Sequence, residues 1–192
     1  MGEPVETDPA SDAALIRRIA SRDQTAMQAL YGRHHVRVFR FLLRIVRNEA
    51  AAEDLMSDVF VEVWQQAARF EERAAVTTWL LSIARFKALS SLRRRREQML
   101  DEDAAAEIED EADTPEVSAQ KASKAEAMRA CIARLSREHA EVIQLVYYHE
   151  QSVEEVAGVL GIPEATVKTR MFYARKKLSE LLKAAGIDRG WP

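Results

Sequence analysis

One stretch of the chain combines residue types that read nucleic acid rather than transform a substrate. Between Thr166 and Lys183 apolar residues recur at Val167, Met171, Ala174, Leu178 and Leu181. That spacing lays them along one stripe of a helix. At about 100° per residue, the side chains facing away from the stripe are Ala165, Thr169, Phe172 and Lys176. Lys168 and Tyr173 lie on the two flanks of that outward face. An aromatic ring set outward among Lys and Thr suits base edges and phosphates better than plain water. The plainer alternative is an antiparallel helix pair whose basic face is only solvated.

Two charged clusters could add recognition chemistry. Arg93, Arg94, Arg95 and Arg96 are consecutive, so on a helix they spread around every side and form no single readout face. They suit phosphate contacts, or they complement a helix C-terminus. Asp54, Asp58 and Glu62, with Glu53, line one side of another helical run. That side is a solvated acidic surface or a docking face for a basic partner. Catalytic patterns are missing from the chain. It has no Gly-rich phosphate loop, no Ser/His/Asp set at recognisable spacing and no HExxH. Adjacent His34 and His35 point to different sides and read as surface or boundary residues. His149 reads as a surface residue near a helix end. Glu53-Asp54 and Glu154-Glu155 read as solubilising pairs. Neither a metal nor a cofactor is expected.

Helices must position these groups. Before the outward-facing run, Val153, Val156, Ala157 and Leu160 make a short amphipathic helix that Gly161 stops. Two short helices joined by a tight Gly-containing turn form a helix-turn-helix. Upstream, Ala14, Leu15 and Ile19 mark a short helix. Asp23 can cap a long one from about Gln24 to Arg47. Its buried stripe is Met27, Leu30, Tyr31, Val38, Phe41, Leu42 and Ile45. A third helix spans roughly Ala50 to Ala68, with Leu55, Val59, Val63 and Ala67 inward. Phe70 to Thr77 is a polar loop. Thr77 or Thr78 can cap a fourth helix, from Trp79 to about Met99. Met128, Cys131, Ile132 and Leu135 share a face of a further helix, and Ser136 caps the next.

The fold class is therefore all-α. Two small helical domains, 12–97 and 127–184, are joined by an acidic flexible linker, 98–126. Residues 1–11 read as disordered and 185–192 as a tail. The net charge of -3 hides a partition. Residues 1–96 are net +4, residues 97–127 net -9 and residues 128–192 net +2. Two mildly basic blocks thus flank an acidic segment, which could mimic nucleic acid or serve as a solvated spacer. The single cysteine, Cys131, excludes an internal disulfide and fits a reducing cytoplasm. It reads as a small buried thiol. The polar, acidic start is no signal peptide. No run approaches the roughly 18 apolar residues of a membrane span, so no membrane insertion is expected.

The order of these segments resembles the extracytoplasmic-function group of sigma factors in the sigma-70 family. Ala52-Glu53-Asp54-Leu55 through Val59-Phe60 and Val63-Trp64 to Phe70 resembles the family's second-region helix. Thr78 to Arg85, ending in Leu92 and the arginine run, resembles the promoter-melting helix. Leu135 to Leu182, with Gly161-Ile162 and Thr166 to Arg170, resembles the fourth-region helix-turn-helix. The resemblance implies binding to core RNA polymerase, through its beta and beta' subunits, and to promoter DNA. It also implies control by an anti-sigma factor. Asp54, Asp58 and Glu62 would dock on polymerase. Thr166, Lys168, Thr169, Arg170, Phe172, Tyr173 and Lys176 would bind the minus-thirty-five element, Arg170 at the backbone. Arg85, Phe86, Ser90 and Arg93 to Arg96 would bind the minus-ten element, and the Phe70–Thr77 loop would capture one unstacked base. Relatives carry amide or acidic side chains where this chain has Phe86 and Ser90. Pro163 stands where the recognition helix of relatives has a capping Ser. Two other readings stay open: a helix-turn-helix regulator acting without polymerase, and an adaptor of helix pairs that binds no DNA.

Overall fold

The computed structural model describes residues 11–101 and 124–186. Most of the acidic segment lies outside the described residues, as do the first ten and last six. Every regular element among the described residues is helical. The chain divides into two compact units, the first holding α1 to α4 and the second holding α5, α6 and α8.

The first unit contains α1 (Asp12–Ala20), α2 (Gln24–Val46), α3 (Glu49–Gln66), a 3-10 turn (Ala67–Arg69) and α4 (Val76–Asp101). Three of its helices begin on short polar caps. The side chains of Ser11, Asp23 and Asn48 accept hydrogen bonds from the backbone N–H groups of Ala14, Ala26 and Ala51. Such caps satisfy donors that a helix start leaves unpaired. Helices α2, α3 and α4 pack on one another, and α1 packs on α2 and the 3-10 turn. The core is apolar: Leu15, Ile16, Ile19, Leu30, Val38, Phe41, Leu42, Val59, Val63, Leu80 and Leu81 are all buried.

Several expectations need correction here. His34 is buried, not on the boundary. Its Nε2 lies 2.7 Å from Asp12 Oδ2, while Arg33 Nη1 donates to Asp12 Oδ1 at 2.8 Å. Burial acts to raise the Asp12 pKa, but the hydrogen bonds and charges of Arg33 and His34 outweigh it and hold the carboxyl below its ordinary range. Tyr31, expected on the buried stripe, is exposed. Its ring packs edge-on against Phe60 and stacks on His35. Helix α4 starts at Val76, so Thr77 and Thr78 lie inside its first turn and neither caps it. It also runs on to Asp101, through Glu97, Gln98, Met99 and Leu100, which are good helix formers. Arg93 to Arg96 are therefore not in the last turn, and the helix-terminus reading of them fails.

The second unit contains α5 (Lys124–Ala133), α6 (Arg137–Tyr147) and α8 (Glu164–Ala184), together with the first four residues of α7 (Val153–Leu160). Helix α8 packs on α6 and α5. Cys131, Ile132, Val142, Ile143, Leu145, Val167, Ala174, Leu178 and Leu182 are buried. Ser136 caps α6. Gly161 takes φ 67° where α7 stops, a conformation glycine adopts at no steric cost. His149 is buried rather than superficial. Glu155 is not merely solubilising. Its carboxylate accepts from Ser152 N at 2.8 Å, and Ser152 Oγ accepts from Glu155 N at 3.2 Å. This is a reciprocal capping box.

Candidate functional site

The outward face of α8 is built as the periodicity requires. Val167, Met171, Ala174, Leu178 and Leu181 are buried, while Ala165, Thr169, Phe172 and Lys176 are exposed. Phe172 is 65% exposed and Tyr173 54%. Their rings meet edge to face at 5.3 Å between centroids, an arrangement aromatic pairs favour. So much uncovered aromatic surface in one place is unusual for a face that meets only water.

The polar residues of this face differ in how free they are. Lys168 Nζ lies 3.5 Å from Glu164 in an exposed pair, which water and salt screen readily. Thr169 Oγ1 already donates to the Ala165 carbonyl at 2.9 Å. Arg170 stands apart from the others. Its side chain is only 22% exposed and reaches Glu138 at the start of α6, 3.1 Å away. It ties α8 to α6. Thr166 is half-buried and Lys176 is exposed. Arg175 stacks its guanidinium over Tyr147, 5.6 Å from the ring centroid. Pro163 occupies the cap position of α8 and supplies no side-chain bond, as expected. Its carbonyl accepts from Thr166 N and Val167 N instead.

Helix α4 buries Leu80, Leu81, Ala84 and Ala88 and turns Phe86 outward, 72% exposed. Arg85 and Ser90 are half-buried, and Arg93 to Arg96 are exposed beyond the packed half of the helix. The loop before α4 spans Phe70 to Ala75, and Phe70 leans on Trp79 with centroids 5.0 Å apart.

On α3 the acidic trio separates. Asp54 and Asp58 are exposed. Glu62 is half-buried, takes an ion pair from Lys87 of α4 at 3.2 Å and accepts from Gln66. It belongs to α3–α4 packing as much as to the surface. Val61, which sequence reasoning passed over, is 54% exposed between the carboxylates. The signal was available: at helical spacing it falls on the same face as Asp54 and Asp58. Among the described residues no cluster of His, Cys, Asp or Glu could hold a metal ion, and no helix is long and apolar enough to cross a membrane.

Family models for sigma-70 region 2 and sigma-70 region 4 match residues 30–98 and 125–178. The extracytoplasmic-function sigma factor SigL of Mycobacterium tuberculosis is 32% identical over 181 residues, covering 92% of this chain and 99% of that protein. The chain belongs to the extracytoplasmic-function sigma factors. SigK of Mycolicibacterium vanbaalenii is 29% identical, covering 91% of this sigma factor and 89% of SigK. Among solved structures, CnrH in complex with the cytosolic domain of CnrY matches with a TM-score of 0.65 and 26% identity, over 90% of this chain and 97% of that one. RpoE of Bartonella quintana, in complex with the anti-sigma factor NepR, matches with a TM-score of 0.65 and 28% identity, over 81% and 93%.

Proposed function

We propose that this sigma factor assigns its three surfaces to three tasks in one initiation complex. The outward face of α8 reads the minus-thirty-five element in the major groove. Phe172 and Tyr173 supply apolar contacts to base edges, Lys168 and Lys176 meet phosphates, and Thr166 and Thr169 fill the face between them. Arg170 contributes mainly by fixing α8 against α6. The basic half of α4 binds the minus-ten element: Arg93 to Arg96 hold backbone phosphates, with Arg85 and Ser90 beside the exposed Phe86. Phe86 offers no amide hydrogen bonds, so it acts by stacking or by apolar contact. The Phe70–Ala75 loop captures one unstacked base, whose extrusion costs a few kcal/mol.

Asp54 and Asp58 carry the docking on core RNA polymerase, on its beta' subunit, with Val61 as an apolar anchor inside the acidic rim. An anti-sigma factor controls the chain by covering these surfaces; the structural relative RpoE was solved in complex with the anti-sigma factor NepR. The carrying observation is the outward aromatic pair on α8, since a protein that only paired helices would bury it.

Fluorescence anisotropy tests this with a holoenzyme assembled from the purified chain and core polymerase. Promoter fragments bearing a matched minus-thirty-five element should bind at least tenfold tighter than scrambled ones, and Tyr173→Ala should narrow that gap. Equal binding of matched and scrambled fragments would refute the assignment.

A further inference from the structure

The N-terminal helix α1 has no part in the three surfaces above, yet it is pinned at two points around the base-capture loop. Leu15, Ile16 and Ile19 bury its inner face, packed on α2 and the 3-10 turn. Beyond its end, Arg22 takes φ 66° and reaches the end of α3. There Arg22 Nη1 donates to the Trp64 carbonyl at 3.1 Å, and the guanidinium lies 5.4 Å from the centre of the Trp64 ring. The second pin is Arg17, whose Nη1 lies 3.2 Å from Glu72 Oε1. Trp64 precedes the 3-10 turn and Glu72 sits in the loop after it, so the two contacts bracket the approach to the loop. Glu72 has φ 55°, a left-handed conformation that Glu seldom adopts. Such a residue holds its place only when its surroundings determine it.

We infer that α1 is a strut for the base-capture loop and that Arg17 is a positioning residue for promoter opening. By gripping Glu72, Arg17 keeps the Phe70–Ala75 backbone in the shape that receives an unstacked base. This rests on the base-capture reading of that loop. The ion pair is half-exposed, so its effect is modest, about two- to fivefold in the population of the competent loop.

The test uses holoenzyme and a promoter fragment mapped from transcripts made by the chain with core polymerase. 2-Aminopurine replaces each minus-ten base in turn, and its fluorescence reports unstacking. Wild-type holoenzyme should brighten one position. Arg17→Ala and Glu72→Ala should each lower that signal about two- to fivefold, and the double variant should lower it no further. The charge-swapped pair Arg17→Glu with Glu72→Arg should restore it. Core-polymerase retention and melting temperature should stay unchanged throughout. Brightening in wild type that the single variants leave intact overturns the strut alone, as do single effects that multiply in the double variant. A loss of retention or melting temperature parallel to the loss of signal also overturns it, because the role is then merely structural. Brightening at no position with wild type overturns base capture, and the strut falls with it.

Discussion

At residue scale, side chains that hold the fold alternate with exposed neighbours that the proposed reading turns toward a partner. Phe172 and Leu178 sit on one helix with opposite exposures. Phe172→Ala should weaken transcription from cognate promoters by about 1–3 kcal/mol, the scale of a lost base contact, with an unchanged melt. Leu178→Ala should instead cost about 2–5 kcal/mol of stability through the cavity it leaves. A thermal melt beside a promoter panel distinguishes these outcomes. A similar split runs through the acidic trio. Asp58→Lys should abolish retention on immobilised core polymerase at unchanged stability, because Asp58 is exposed. Glu62→Lys should also lower the melting temperature, since Lys87 loses its partner and faces a like charge. The outward face of α8 was legible in the sequence, because burial there follows helical periodicity alone. The fates of Glu62 and Arg170 were not. Each is set by a residue on another helix, Lys87 or Glu138, and periodicity within one helix carries no information about that.

At the scale of the element, helix ends explain both the agreement and the misses. Asp23 and Ser136 were readable as caps, and the structure bears them out. The Ser152-to-Glu155 box has an equally plain signature, a Ser followed three residues later by a Glu, although the Glu154-Glu155 pair by itself reads as solubilising. Tyr31 and His34 lie only about 60° apart on α2, too close for periodicity alone to say which is covered. Asp12, at the start of α1, meets His34, whereas Tyr31 stays exposed against Phe60 and His35. Pro163 leaves the start of α8 without a side-chain cap. Pro163→Ser should therefore stabilise the protein by about 0.5–2 kcal/mol, read as a higher denaturation midpoint at unchanged slope. The Asp12 contact gives a pH signature. Its carboxyl lies below the ordinary value of 3.8 in the folded protein. A depressed carboxylate stabilises fully above its unfolded pKa and loses that contribution as pH falls through the folded one. The melting-temperature gap between wild type and Asp12→Asn should thus be widest above about pH 5 and close as acid protonates the carboxyl, below its ordinary range.

At the scale of the whole molecule, the three proposed tasks would fall on separate helices: recognition on α8, melting on α4 and docking on α3. The acidic segment between the basic blocks lies mostly outside the described residues, and its carboxylates invite a direct test. Replacing Asp101, Glu102, Asp103, Glu107, Glu109, Asp110 and Glu111 by the matching amides should strengthen nonspecific DNA binding by the free protein at low salt. The difference should fade by about 0.1 M salt, where the Debye length falls to about 10 Å. DNA affinity independent of these changes would make the segment a spacer. The task of the protein is to direct polymerase to promoters. Its most direct measurement is transcription of genomic DNA by purified core polymerase, with and without the purified chain, followed by sequencing of transcript 5′ ends. New start sites should appear only with the chain, share one upstream pair of elements and disappear with Asp58→Lys. A chain that adds no start sites, yet footprints duplex DNA alone, would contradict it.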